Sequence, residues 1–155
     1  MRPLLANLLF DWMQEDERVF VLTADLGFRY WEKIKEAFPD RFYTVGAAEQ
    51  LLLGCGVGLA LERKIPVLYS ITPFILWRPY ELIRNYMDHE KIPVKLIGCG
   101  FENDYSHDGF SHYGDATRHQ FENIDYFFPT SKEMLKAMFK QFKEPDYPAF
   151  LCVRR

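Results

Sequence analysis

A chain of 155 residues has the length of one domain, and a domain of that size buries roughly 68–70% of the surface its unfolded chain exposes, so it needs no disulfide or metal staple. Its 19 lysines and arginines stand against 22 aspartates and glutamates, with no block of like charge except Arg154 and Arg155, which argues against a basic nucleic-acid-binding face. No stretch approaches the ~20 apolar residues needed to span a bilayer, and the N-terminal apolar run is broken by Asp11 without a small-residue cleavage site, so the composition is that of a cytoplasmic protein.

Leu4, Leu5, Leu8, Leu9 and Trp12 recur at the helical period and predict a first helix over residues 3–13. An apolar, β-branched run predicts a strand at 19–23, followed by the loop A-D-L-G and a helix at 31–37 that Pro39 stops. A second strand is expected at 41–45 and a helix at 47–62, whose Gly54, Cys55, Gly58 and Ala60 would let it lie close against a sheet or another helix. Each of those glycines costs up to ~1 kcal/mol of helix propensity. A third strand at 66–72, a helix at 78–89, a fourth strand at 94–98 and a polar loop over 101–115 come next. A strand at 125–128, a helix at 131–142 with Ser131 as its N-cap and a last strand at 149–153 complete the alternation. Cys55, Cys99 and Cys152 each lie in an apolar stretch, have no C-x-x-C spacing and read as reduced core residues. The high aromatic share, 17% with 14 Phe and 9 Tyr, points to buried interfaces or a stacking site.

Nearly continuous apolar strands separated by helical segments imply a parallel sheet covered on both faces. The expected fold is a single doubly wound α/β domain over residues 1–155, mostly parallel, with helices on both sides. Ligands in such sheets gather at the carboxyl ends of the strands, which singles out A-D-L-G, G-A-A-E-Q, S-I-T-P-F and G-C-G-F-E-N-D-Y-S-H-D-G-F-S-H. In the second of these loops Glu49 precedes ten apolar or glycine residues after Gln50. A carboxylate in a first helical turn is favoured by ~0.3–1 kcal/mol through the helix dipole, so on this ground alone Glu49 either serves the helix end or acts on a ligand.

Four motifs supply the context. V-G-A-A-E-Q followed by G-C-G-V-G-L-A resembles the pyrimidine-binding domain of transketolase-like thiamine-diphosphate enzymes, as do V-L-T-A-D-L-G (21–27) and F-P-D-R-F-Y-T-V-G-A-A-E-Q (38–50). P-F-I-L-W-R-P-Y-E-L-I-R-N (73–85) resembles the family's F-x-x-R-x-x-D-Q-I-R-N, and D-G-F-S-H (108–112) its D-G-P-T-H. The resemblance runs in the family's order along nearly the whole chain. It implies that Glu49 bonds N1′ of the cofactor aminopyrimidine and favours the imino tautomer, whose 4′ nitrogen takes the proton from thiazolium C2. It implies further cofactor contacts from Asp25, Leu26, Arg78 and Tyr80. Counted from Arg78, the family's stacking aromatic falls on Ile75, a departure from the pattern, with Phe74 beside it. His112 takes the place of the family histidine that works near the reacting carbon, while aligning T-R-H-Q-F-E (117–122) instead would put Arg118 or His119 there. His107 and Asp108 are further substrate candidates, and Arg29, Arg78 and Arg118 could face a phosphate.

Thiamine-diphosphate enzymes hold the diphosphate through Mg²⁺ on a domain with a G-D-G motif followed by Asn, and no G-D-G occurs in this chain. The resemblance therefore implies half a site. The expectation is a pyrimidine-binding subunit of a split transketolase-like enzyme, without a metal of its own, active with a separate diphosphate- and Mg-binding N-terminal-section chain. The assembly implied is a heterotetramer in which this chain also self-associates, and the reaction is transfer of a two-carbon ketol unit between sugars or to an aldehyde. A 2-oxo-acid decarboxylase or dehydrogenase β-type subunit would use the same glutamate, and a non-catalytic assembly module would keep only the fold.

Overall fold

The computed structural model describes residues 1–27, 29–115, 121–144 and 146–155. Its elements in chain order are α1 (Arg2–Glu15), β1 (Val19–Thr23), α2 (Glu32–Ala37), β2 (Phe42–Thr44), α3 (Glu49–Leu61), β3 (Ile65–Ile71), α4 (Thr72–Trp77) and α5 (Tyr80–Leu82). A π-helical stretch (Ile83–His89), β4 (Lys95–Cys99), β5 (Asp125–Phe127), α6 (Lys132–Phe142) and β6 (Ala149–Val153) follow. The strands form one sheet in the order β2-β1-β3-β4-β6-β5, and every neighbouring pair is parallel. This is the doubly wound α/β fold expected from the alternation of apolar strands and helices.

Strand periodicity explains how the sheet is covered twice. Successive side chains point to opposite faces, so Val67 and Tyr69 of β3, Ile97 and Cys99 of β4, and Leu151 and Val153 of β6 enter one apolar cluster. Leu68, Leu96, Phe150 and Cys152, each one position out of phase, enter the other. The first cluster is closed by Leu5, Leu9, Trp12 and Met13 of α1 with Leu135, Phe139 and Phe142 of α6. The second is closed by Leu52, Leu53 and Val57 of α3 with Ile75, Leu76, Ile83 and Met87.

Local signals set the helix starts. Pro3 sits in the first turn of α1, where its missing N–H has no intrahelical partner to lose. Ser131 caps α6 as expected, its hydroxyl accepting the Met134 amide at 3.2 Å. The segment after β3 departs from expectation. The strand ends at Ile71, and instead of a loop leading to a helix at 78, α4 begins at once with Thr72 and Pro73. The expected helix over 78–89 is a short α5 running into the π-helical turn, where the Glu90 amide reaches back five residues to the Asn85 carbonyl at 3.1 Å.

The small residues of α3 also divide differently from the sequence reading. Gly56 is the one pressed on the sheet, since a Cβ there would stand 2.7 Å from Leu68 Cδ1 on β3. Gly54 and Gly58 have nothing within 4 Å of the Cβ position and face outward. Replacing Gly56 by valine is therefore expected to lower stability by about 2 kcal/mol through overpacking against Leu68, read from urea unfolding midpoints.

Candidate functional site

At the carboxyl ends of β1 and β3 lies a cavity of about 230 Å³ walled by Ala24, Asp25, Leu26, Glu49, Phe74, Arg78 and His112 together with Ala47, Ser70 and Ile71. Each wall has a local cause. The chain leaves β1 through a turn in which the Leu26 amide donates to the Ala24 carbonyl at 2.7 Å and the Thr23 hydroxyl donates to the Leu26 carbonyl at 3.0 Å, which fixes Asp25 and Leu26 at the rim. Gly46, at φ +73°, bends the chain after β2 into the left-handed region that glycine adopts without strain, and three residues later Glu49 opens α3. The immediate passage from β3 into α4 puts Phe74 and Arg78 over the end of the sheet. Four residues apart, they share one face of that helix.

Glu49 is 3% exposed, an unusual place for a carboxylate unless it is paired. Its two oxygens are both taken. Oε1 accepts the Ser70 hydroxyl at 2.8 Å, and Oε2 accepts Arg78 Nη1 at 2.7 Å. The helix itself starts at Ala48 without a side-chain cap, so the carboxylate is committed to groups from β3 and the end of α4. Arg78 lies with its guanidinium carbon 3.7 Å from the centre of the Phe74 ring, while its backbone carbonyl accepts Gln50 Nε2 at 3.3 Å. The His112 ring stands edge-on to Phe74 at 4.9 Å, carried there by the short 3₁₀ turn Phe110–His112. A buried carboxylate, an aromatic ring, a guanidinium and an imidazole thus converge on one cavity.

Of the residues proposed from sequence, Asp25, Leu26, Glu49, Phe74, Arg78 and His112 are brought together. Ile75 is not among the walls: it is 1% exposed and packs in the core beneath α4 with Leu76 and Ile83. Tyr80 is half-exposed, its ring 5.2 Å from that of Phe121, and is also outside the cavity lining. His107 and Asp108 pair with each other at 3.1 Å on the preceding 3₁₀ turn, beside the Arg155 guanidinium, and do not line it either. Arg29 lies on the loop after β1, its amide donating to Glu32 Oε1 at 2.7 Å. Arg118 and His119 fall outside the described residues. Ser70 is the site residue that the sequence reading passed over; its signal was a small aliphatic hydroxyl in the mostly apolar run of β3. Among the described residues no group of three His, Cys, Asp or Glu side chains could hold a metal ion, and no helix is long and apolar enough to cross a membrane.

An all-parallel sheet whose carboxyl ends hold a buried glutamate beside an aromatic ring defines a small-molecule-binding α/β domain. The family is given by comparison: the model described as "Transketolase, pyrimidine binding domain" matches residues 1–155, and the chain belongs to that family. A putative transketolase C-terminal section of Methanocaldococcus jannaschii is 29% identical over 100% of this chain and 50% of its own length. The 6-deoxy-6-sulfo-D-fructose transketolase subunit SqwH of a Clostridium species is 26% identical over 100% of this chain and 49% of its own. Among solved structures, a split-gene transketolase described as an inactive β4 tetramer superposes with a TM-score of 0.84 at 28% identity, over 99% of this chain and 50% of that one. The Campylobacter jejuni transketolase, at 16% identity and a TM-score of 0.86 over 99% of this chain and 25% of that one, shares the fold. The chain thus spans half or less of the length of these relatives.

Proposed function

We propose that this chain is the pyrimidine-binding half of a split thiamine-diphosphate-dependent transketolase, and that Glu49 is its catalytic carboxylate. The observation that carries the reading is the burial of Glu49, held by Ser70 and Arg78 in a cavity walled by Phe74 and His112. The residues present fit the cofactor's aminopyrimidine. A buried carboxyl group able to carry a proton to a basic ring nitrogen, beside an aromatic face able to stack, is what a flat heterocycle with basic ring nitrogens requires. When bound, thiamine diphosphate supplies a carbon acid able to add to a ketose carbonyl and carry a two-carbon unit.

In this reading Glu49 holds the proton shared with N1′ and Ser70 orients the carboxyl group. Phe74 receives the ring face, and Asp25 with Leu26 forms the rim toward the rest of the cofactor. His112, at the opposite edge, is placed to move a proton at the substrate oxygen or to stabilise negative charge there. The diphosphate and its Mg²⁺ belong to a second chain, a role supported by the relatives named as transketolase sections and subunits. The decisive experiment is calorimetric titration with thiamine diphosphate and Mg²⁺ after co-expression with a chain that carries a G-D-G motif. Saturable binding by the assembly is expected; an assembly that forms yet never binds the cofactor would leave the non-catalytic module as the better reading.

Self-association of this chain is part of the proposal, and α3 offers the surface. Leu51 is 57% and Leu61 66% exposed, while Gly54 and Gly58 between them face open space. These four positions are symmetric about Gly56, as an isologous contact requires. Two such helices crossing at their glycines approach closely at the centre and fill the widening gap with leucines. Leu51→Glu combined with Leu61→Glu is expected to reduce the oligomer to monomer in sedimentation velocity with the circular dichroism unchanged.

A further inference from the structure

The Arg78 side chain makes the two contacts that the proposed function assigns to the cofactor ring. Its guanidinium is planar and cationic, donates an N–H to Glu49 Oε2 at 2.7 Å and lies over the Phe74 ring with Cζ 3.7 Å from its centre. A heterocycle bonded to Glu49 and lying over Phe74 would need the same volume, because the guanidinium carbon already stands 3.7 Å from the Phe74 ring centre, in cation–π contact. We propose that Arg78 is a latch that stands in for the aminopyrimidine ring: it closes the site when no cofactor is bound and swings out when the ring enters. The inference rests on the pyrimidine-binding reading and adds to it a residue that sets how readily the site fills.

The surroundings suit a movable side chain on a fixed base. The Arg78 side chain is 45% exposed although its partner's carboxylate is 2% exposed, so the guanidinium has water to move into. Its backbone is anchored at the end of α4, with its amide donating to the Phe74 carbonyl at 3.3 Å and its carbonyl accepting Gln50 Nε2 at 3.3 Å. Motion is thus confined to the side-chain torsions. The benefit of a latch follows from Glu49. A buried carboxylate left without a cation is strongly destabilising, so a chain that folds before it meets cofactor needs a provisional partner there. A planar, delocalised guanidinium serves that role better than an ammonium, which pairs with a carboxylate but presents no flat face to an aromatic ring.

A latch has a signature opposite to that of a binding residue. Where only the open fraction accepts ligand, the apparent dissociation constant is the intrinsic one divided by that fraction. Removing the latch therefore tightens binding, whereas removing a contact weakens it. The test titrates the chain with 4-amino-5-hydroxymethyl-2-methylpyrimidine, the ring portion alone, by calorimetry. The ¹⁵N resonances of the Arg78 guanidinium, assigned by their absence in a variant, are followed in parallel. Arg78→Ala is expected to bind the probe about tenfold tighter than the unmodified chain, corresponding to an open fraction of about one-tenth. Arg78→Lys is expected to fall between them, and the Arg78 resonances of the unmodified chain should move to solvent-like positions as the probe saturates. Equal or weaker binding by a folded Arg78→Ala overturns the latch while the pyrimidine reading stands. If Arg78→Ala does not fold, Arg78 resonances that stay put at saturation overturn it. Absence of probe binding by the unmodified chain and both variants overturns the pyrimidine reading and the latch together.

Discussion

Glu49→Gln is expected to abolish turnover of the reconstituted enzyme, by ~10²-fold to 10⁴-fold or more, while leaving the fold and its stability almost unchanged. Glutamine has the shape of glutamate, so its amide oxygen can go on accepting from the Arg78 guanidinium, now 2.7 Å from the carboxylate, while its NH2 group meets the Ser70 hydroxyl, now at 2.8 Å, which turns from donor to acceptor. The substitution leaves Arg78 without a counter-ion, but its side chain is 45% exposed and water solvates it. What glutamine cannot do is hold a proton and exchange it with a ring nitrogen. Loss of turnover with intact cofactor binding and an unchanged melting temperature is the pattern expected of a proton-transfer group; turnover within a few-fold of normal would remove Glu49 from the mechanism. Glu49→Ala is the less useful variant, since it takes away the acceptor of the buried Ser70 hydroxyl.

A second large effect concerns pH and lies far from the site, at Lys95. This lysine is 1% exposed on β4, with its ammonium donating to the carbonyls of Glu144 and Tyr147. Burial pulls the ammonium down from 10.5 to about 8, against the partial opposing pull of Asp125, Glu144 and Asp146. Because the folded value lies below the unfolded one, the unfolded chain binds more protons between them, and stability rises with pH across that interval. Integrated from pH 7 to pH 9, the gain is about 1.4 kcal/mol. Above pH 9 this rise is opposed. Burial holds the Cys152 thiol up to about 12 and the Tyr69 hydroxyl well above its ordinary range, and stability carried by such neutral groups is lost as pH climbs past their unfolded values. Denaturant midpoints measured every half unit from pH 7 to 9 should rise in the unmodified chain and stay level in Lys95→Met. A level profile in both would show that Lys95 is not titrating in the folded state.

The sequence and the structure agree where one signal dominates. β1 and β6 begin and end where the apolar runs 19–23 and 149–153 do, and the alternation of strands and helices foretold a mostly parallel sheet, which proves parallel at every neighbouring pair. They part company where two signals overlap. Past Thr72 and Pro73 the apolar character of β3 resumes in Phe74 to Leu76, so the switch from strand to helix at Thr72 left no change of period to read. That missed helix also explains the stacking position. Counting from Arg78 along a family pattern lands on Ile75, but helical geometry turns Ile75 into the core and sets Phe74, four residues before Arg78, over the cavity. Glu49 was legible because a carboxylate stands alone beside an apolar run. Ser70 was not, since a hydroxyl in a strand carries no indication of which carboxylate it will meet across twenty-one positions of chain.

The sheet is bounded by its two shortest strands, β2 and β5, each of three residues. A parallel sheet needs long-range pairing, as between Leu96 and Phe150, and so assembles slowly enough for unfinished chains to meet one another. Stubby borders give such chains few free amides to extend across the gap, and that guards against fibrous aggregation. On the proposal that a second chain completes the site, blunt edges protect the unpaired subunit as usefully as a good core does.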